Sequence, residues 1–188
     1  MRSNHAESDR ISEGVDLTVS VTLAAMAKIM SGLKPKGFTW VIADRLAVSE
    51  RIGGIGFQHR RVRREEEINW LVDEAGITHV VSLLPSNQNI SSYVEAGLVT
   101  HSAPVAGPIL RRHREDVYHA LDEALAEPTA KALVHRETID DGLAGLLGGY
   151  LVHSGLVTNP VLAVAVIQEI LGRALGPDGR ALVPPDEA

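Results

Sequence analysis

The chain has 188 residues, of which 45% are hydrophobic and 22% charged, and its formal net charge at pH 7 is -6. This composition is too apolar for a chain that is disordered throughout, and its acidic balance does not favour nucleic-acid binding. The absence of cysteine excludes disulfides, thiolate metal sites and a thiol nucleophile.

The alternation of apolar segments and turn signals predicts a series of strands and helices. The stretch from Val15 to Met30 fits either a strand or one face of a helix, and its alanines favour the helix. In chain order, the elements after it are strands at 38–42 and 45–48, a glycine-rich loop at 51–56, a helix at 63–75, a strand at 78–84, a short helix at 90–96, a strand at 99–103, a helix at 114–126, a strand at 132–134, and helices at 143–152 and 160–175.

Strands that alternate with helices predict an α/β fold, a three-layer sandwich with a central, mainly parallel sheet flanked by helices. The expected organisation is an N-terminal tail with a short helical or strand segment (1–36), an α/β domain (37–175) and a flexible C-terminal tail (176–188). The polar residues 1–13 lack the pattern of a secretory signal, so a cytoplasmic protein is expected.

The stretch from Gly142 to Gln168 carries no formal charge and is long enough to span a bilayer. However, Asn159 followed by Pro160 has the pattern of a helix N-cap and a first-turn proline. Two buried helices joined by a turn are therefore expected here, and no membrane association.

Ligands of mainly parallel sheets bind beyond the carboxyl ends of the strands, so the loops after Leu84, Ala103 and Val134 are the candidate site. The last of these loops has three carboxylates against one arginine, which disfavours anion binding. Its acidic side chains are better explained as caps of the following helix, and a magnesium or calcium site remains an alternative. The candidate residues of this loop are His135, Arg136, Glu137, Thr138, Ile139, Asp140, Asp141 and Gly142.

Two arginine clusters are the other candidate sites. They consist of Arg60, Arg61, Arg63 and Arg64, and of Arg111, Arg112 and Arg114. The first precedes a run of glutamates, so solvated helix starts with internal ion pairs are the simpler interpretation. A basic rim around an anion or an acidic partner is the alternative.

The order of these elements resembles the dual-specificity branch of the cysteine-dependent protein tyrosine phosphatases over about residues 38–175. The resemblance rests on the opening strand pair Phe38–Ala47, the helix and central strand within Glu67–Leu84, the segment His101–Val105 before the general-acid loop, Leu133-Val134-His135 before the phosphate loop, and the two helices within Leu143–Leu175. It implies a phosphatase-like fold.

The chemistry that the resemblance implies does not carry over to this sequence. The family's phosphate loop is His-Cys, five residues and Arg, in which the Cys attacks phosphorus and the Arg holds the phosphoryl oxygens. His135 matches, but Arg136 stands at the position of the Cys and Gly142 at that of the Arg. The family's acid follows a Pro-Val-like pair, whereas Ala106 and Gly107 stand there in this chain.

Three hypotheses follow. The first is a catalytically inactive phosphatase-like domain, a pseudophosphatase, that needs no cofactor and works by binding a protein partner or by self-association. The second is a hydrolase that uses carboxylate and histidine groups or a metal in the same cleft. The third is a module that binds anions or phosphoinositides through its arginine clusters, while nucleic acid is not an expected partner.

Overall fold

The computed structural model describes residues 32–56 and 61–184. The predicted segment from Val15 to Met30, Arg60 of the first arginine cluster and residues 185–188 lie outside these ranges. The elements are the strands β1 (Thr39–Ile42), β2 (Leu46–Ser49), β3 (His79–Ser82), β4 (Val99–Ser102) and β5 (Ala132–His135), and the helices α1 (Arg61–Asp73), α2 (Ile90–Glu95), α3 (Arg114–Ala124), α4 (Asp141–His153), α5 (Pro160–Leu171) and α6 (Pro177–Arg180).

The five strands form one sheet in the order β1-β2-β5-β3-β4. β1 pairs antiparallel with β2, and every other pair is parallel. β5 lies at the centre, where Val134 is in register with Val48 of β2 and with Val81 of β3. This architecture confirms the predicted α/β fold with a mainly parallel sheet between helices.

The hydrophobic core has two parts, one on each face of the sheet. Successive side chains of the central strand β5 point to opposite faces and so contribute to both parts. Leu133 packs in a cluster with Ile68 and Leu71 of α1. Val134 packs in a larger cluster with side chains of α3, α4 and α5, among them Leu121 and Ile167. α1 and α3 therefore cover opposite faces of the sheet.

The charge-free stretch from Gly142 to Gln168 is divided between two helices, as predicted. The side chain of Asn159 caps α5 by accepting a hydrogen bond from the Leu162 amide at 3.1 Å, and Pro160 occupies the first turn. α5 ends at Leu171 rather than at Leu175, because Gly172 adopts a left-handed conformation with φ of 61°. Within the described residues, no helix combines the length and the apolar character that a bilayer crossing requires.

The flexible tail predicted for residues 176–188 is wrong over residues 176–184. Pro177 begins the short helix α6, and the side chains of Leu182 and Val183 that follow it are buried. The segment lies so close to α4 that a Cβ atom on Gly145 would collide with the Gly179 carbonyl oxygen. We call residues 176–184 the C-terminal strap.

Candidate functional site

The candidate site is an open cleft of about 670 Å³ beyond the carboxyl ends of the strands, where ligands of such sheets bind. One wall is the loop after β4, another is the loop between β5 and α4, and the C-terminal strap forms a third. The lining residues are Gly107, Pro108, Ile109, Leu110, Arg111, Arg136, Asp140, Asp141, Gly142, Asp178, Ala181 and Leu182.

His135 ends the central strand and does not reach this cleft. Its side chain is fully buried, and its ring lies edge-on to the ring of Tyr93 with Nε2 3.4 Å from the tyrosine hydroxyl. Burial, reinforced by the positive charge of Arg51, lowers the pKa of His135 to about 3. The imidazole is therefore neutral at physiological pH, and it is a part of the core rather than a base exposed to a substrate.

Arg136 spans the cleft between its two principal loops. Its guanidinium donates hydrogen bonds to the Gly107 carbonyl oxygen after β4 and to the Asp140 carboxylate before α4. Only 11% of the side chain is exposed. Because one charged group is bonded to both loops, we call these two contacts the Arg136 latch.

Each carboxylate of the loop is engaged within the protein. Glu137 pairs with Arg51 at 2.7 Å, and Asp140 caps α4 by accepting a hydrogen bond from the Leu143 amide at 2.8 Å. Asp141 accepts hydrogen bonds from two amides of the C-terminal strap, those of Gly176 and Gly179, at 2.6 and 2.5 Å. The capping role predicted for Asp140 is confirmed, whereas Asp141 anchors the strap.

The remaining residues of the loop have structural contacts. The Thr138 carbonyl oxygen accepts a hydrogen bond from the Asp140 amide, and the Ile139 carbonyl oxygen accepts one from Arg173 at 2.6 Å. At Gly142, an added Cβ atom would lie 3.1 Å from that of Ile109, so a larger side chain would crowd the cleft wall. Within residues 32–56 and 61–184, no group of three histidine, aspartate or glutamate side chains is arranged to hold a metal ion.

The described residues of the two arginine clusters lie on opposite faces of the sheet. Arg61, Arg63 and Arg64 belong to the start of α1, whereas Arg111, Arg112 and Arg114 precede and begin α3. In the first cluster, Arg61 pairs with Glu65 at 2.6 Å and Arg63 with Glu67 at 2.8 Å. In the second cluster, Arg111 also lines the cleft. The structure therefore does not bring the two clusters together into one rim.

Glu67 and Arg51 organise the site, although neither belongs to the predicted site residues. The buried Glu67 carboxylate accepts hydrogen bonds from the Gly53 amide at 2.6 Å and from Arg63, and so fixes the glycine-rich loop to α1. The sequence does hold one indication of this role for Glu67. The residue stands next to Ile68 and one turn before Leu71, on the face of α1 that packs on the sheet. Arg51 had no comparable signal, because its partner Glu137 is 86 residues away.

No protein-family model matches the chain, and no curated protein matches it. Solved structures do match. The kinase-associated phosphatase, in a form whose catalytic cysteine is substituted by serine, aligns with a TM-score of 0.59 at 17% identity, over 80% of this chain and 93% of that one. The fold is that of the cysteine-dependent protein tyrosine phosphatases. Two further structures match this phosphatase fold. The core catalytic domain of the PP-IP phosphatase Siw14 from S. cerevisiae aligns with a TM-score of 0.56 at 14% identity, over 84% of this chain and 91% of that one. Human DUSP28 aligns with a TM-score of 0.53 at 19% identity, over 79% of this chain and 90% of that one.

The phosphatase fold thus occurs here in a chain without cysteine. The sequence resemblance predicts that Arg136 stands where such a fold has its nucleophile and Gly142 where it has its phosphate-holding arginine. A guanidinium stays protonated and cannot act as a nucleophile.

Proposed function

We propose that the protein is a catalytically inactive phosphatase-like domain, a pseudophosphatase, that works in the cytoplasm by binding a protein partner. The observation that carries the proposal is the Arg136 latch. The residue at the nucleophile's position carries a fixed positive charge, and both of its contacts are with the protein's own loops. The position therefore offers neither a nucleophile nor an open phosphate cradle.

The latch also supports a binding role. A loop that is held in one arrangement loses little conformational entropy when a partner docks on it, and such preorganisation strengthens binding. Next to the latch, the exposed side chain of Leu110 offers an apolar contact at the cleft. An apolar anchor surrounded by polar groups is the usual composition of a protein interface.

The contacts of the loop count against a hydrolase of different chemistry. His135 is buried and neutral, and Asp140 and Asp141 are bonded to backbone amides. Glu137 pairs with Arg51 through Oε1, and its other oxygen, Oε2, is buried without a partner among the described residues and does not line the cleft. A general base or a metal ligand needs a free lone pair that points at the reacting group.

The proposal is tested by affinity capture with the purified full chain, using Leu110→Glu as the cleft variant. Val99→Glu is the matched control, because Val99 is an equally exposed apolar residue (49% against 42%) at the opposite end of the sheet. A partner that wild type and Val99→Glu retain and Leu110→Glu loses supports binding through the cleft. If every protein retained by wild type is also retained by Leu110→Glu, the cleft is not the binding surface.

A further inference from the structure

Six of the fourteen lysine and arginine side chains of the described residues pair with a carboxylate, and no member of the second arginine cluster is among them. The side chains with a carboxylate partner are Lys36, Arg51, Arg61, Arg63, Lys131 and Arg136. Within residues 32–56 and 61–184, Arg111 and Arg114 bond only to carbonyl oxygens, and Arg112 has no polar partner. Three positive charges within four residues are thus left uncompensated in a chain whose net charge is -6.

These arginines line one cavity. It has a volume of about 830 Å³ and lies where α3 begins, beside α4 and the start of α5. Arg111, Arg112 and Arg114 form its basic side together with His119 and His153. The cavity therefore brings three arginines that have no carboxylate partner to one place.

The acidic groups at the cavity do not neutralise these arginines. Asp122 accepts a hydrogen bond from the Tyr150 hydroxyl at 2.8 Å and contacts His153 Nε2 at 2.9 Å. Glu115 lies on the exposed side of α3 and pairs with none of the described basic residues. The balance of free charge in the cavity is therefore positive.

The C-terminal strap holds two of the three arginines in place. Arg111 Nε donates to the Ala181 carbonyl oxygen at 2.7 Å, and Arg114 Nη1 donates to that of Leu182 at 3.4 Å. Each guanidinium retains further N–H donors, because it has five in a planar fork. The strap thus positions the donors without neutralising them.

We propose that this cavity, the Arg111–Arg114 pocket, docks an acidic segment of a partner protein, rich in aspartate and glutamate. Carboxylates fit the paired donors of a guanidinium, and opposite charge across an interface accelerates encounter and sets the orientation of the partner. Arg111 lines both this pocket and the cleft. A segment in the pocket would therefore continue directly onto the surface next to Leu110, so the inference extends the proposed binding role.

The test measures binding of a fluorescein-labelled peptide of alternating glutamate and glycine to the full chain by fluorescence anisotropy. The variant is Arg112→Glu, because Arg112 has no contact whose loss would disturb the described fold. The matched control is Arg61→Glu, an exposed arginine on the opposite face of the sheet. A lysine-glycine peptide controls for the charge of the ligand, and thermal unfolding of each variant controls for folding.

We expect saturable binding of the acidic peptide that weakens as salt is added, since these charges are exposed to solvent. Arg112→Glu should weaken it about 10-fold or more, because reversal places like charges together, while Arg61→Glu should have little effect. Equal binding by wild type and Arg112→Glu, or equal loss in both variants, would overturn the proposal. So would tighter, Arg112-dependent binding of an oligothymidine strand of equal charge, which would indicate a general polyanion site.

Two other occupants would also overturn the proposal. If the peptide binds only after Asp186→Asn and Glu187→Gln are introduced, the site serves the chain's own terminal carboxylates. If Arg112→Glu converts a dimer into a monomer in light scattering, the occupant is a second copy. None of these outcomes depends on phosphatase turnover, so failure here is distinguishable from failure of the proposed inactivity.

Discussion

Replacing His135 by phenylalanine should reduce the acid sensitivity of folding. The side chain is fully buried, and burial lowers its pKa from 6.5 to about 3. Below about pH 6.5 the unfolded chain binds a proton that the folded protein excludes until about pH 3. The free energy of unfolding therefore falls as the pH falls from about 6.5 to about 3. Above about pH 6.5, the neutral His135 causes no such loss of stability.

The magnitude follows from the shift. One pKa unit corresponds to about 1.4 kcal/mol, so the full effect approaches roughly 5 kcal/mol at pH 3. Between pH 7 and pH 5, linkage gives a loss of about 2 kcal/mol for the wild type from this group. Phenylalanine keeps a ring against Tyr93 and cannot titrate, so this part of the loss should vanish.

The assay is urea unfolding at pH 7 and pH 5 for wild type, His135→Phe and a control, His119→Phe. The side chain of His119 is 74% exposed, so its replacement should leave the acid sensitivity near that of wild type. All other titrating groups are shared, and their contributions cancel in the comparison. An equal loss of stability in wild type and His135→Phe would refute the reasoning. Should His135→Phe not fold, His135→Gln supplies a second non-titrating variant.

Two further predictions concern contacts that hold the site. Glu67→Ala should lower the free energy of unfolding by about 1–3 kcal/mol in urea unfolding, because the buried Gly53 amide loses its acceptor. The control Glu65→Ala, on the exposed side of α1, should lower it by less than about 1 kcal/mol. Equal losses in the two variants would contradict the role assigned to the buried carboxylate. Arg136→Ala should accelerate amide hydrogen exchange in residues 103–110 by releasing the latch, and an unchanged exchange rate there would contradict it.

The sheet and its helices were predictable because local pattern determines them. Ala132 to Val134 is a short apolar run next to polar residues, and Asn159-Pro160 signals a helix start regardless of the tertiary fold. That Arg136 stands at the nucleophile's position stays a prediction, which rests on the sequence motif that follows the central strand and His135.

Contacts across long stretches of chain were not predictable. The glycines of α4 and the apolar Leu182 are each ordinary in sequence, and only the fold shows that Gly145 lets the C-terminal strap approach. The same holds for Arg136, whose residue type excludes nucleophilic attack but does not indicate a bond to Gly107. Long-range pairing of this kind depends on the complete topology rather than on local propensity.

The most direct test of the central claim is hydrolysis of p-nitrophenyl phosphate by the purified full chain, measured with and without added magnesium, manganese or zinc ions. We expect a rate equal to that of the buffer for wild type and for Arg136→Ser. Turnover by the wild type that the Arg136→Ser or Asp140→Asn variant loses would show that the loop is catalytic, and would contradict it.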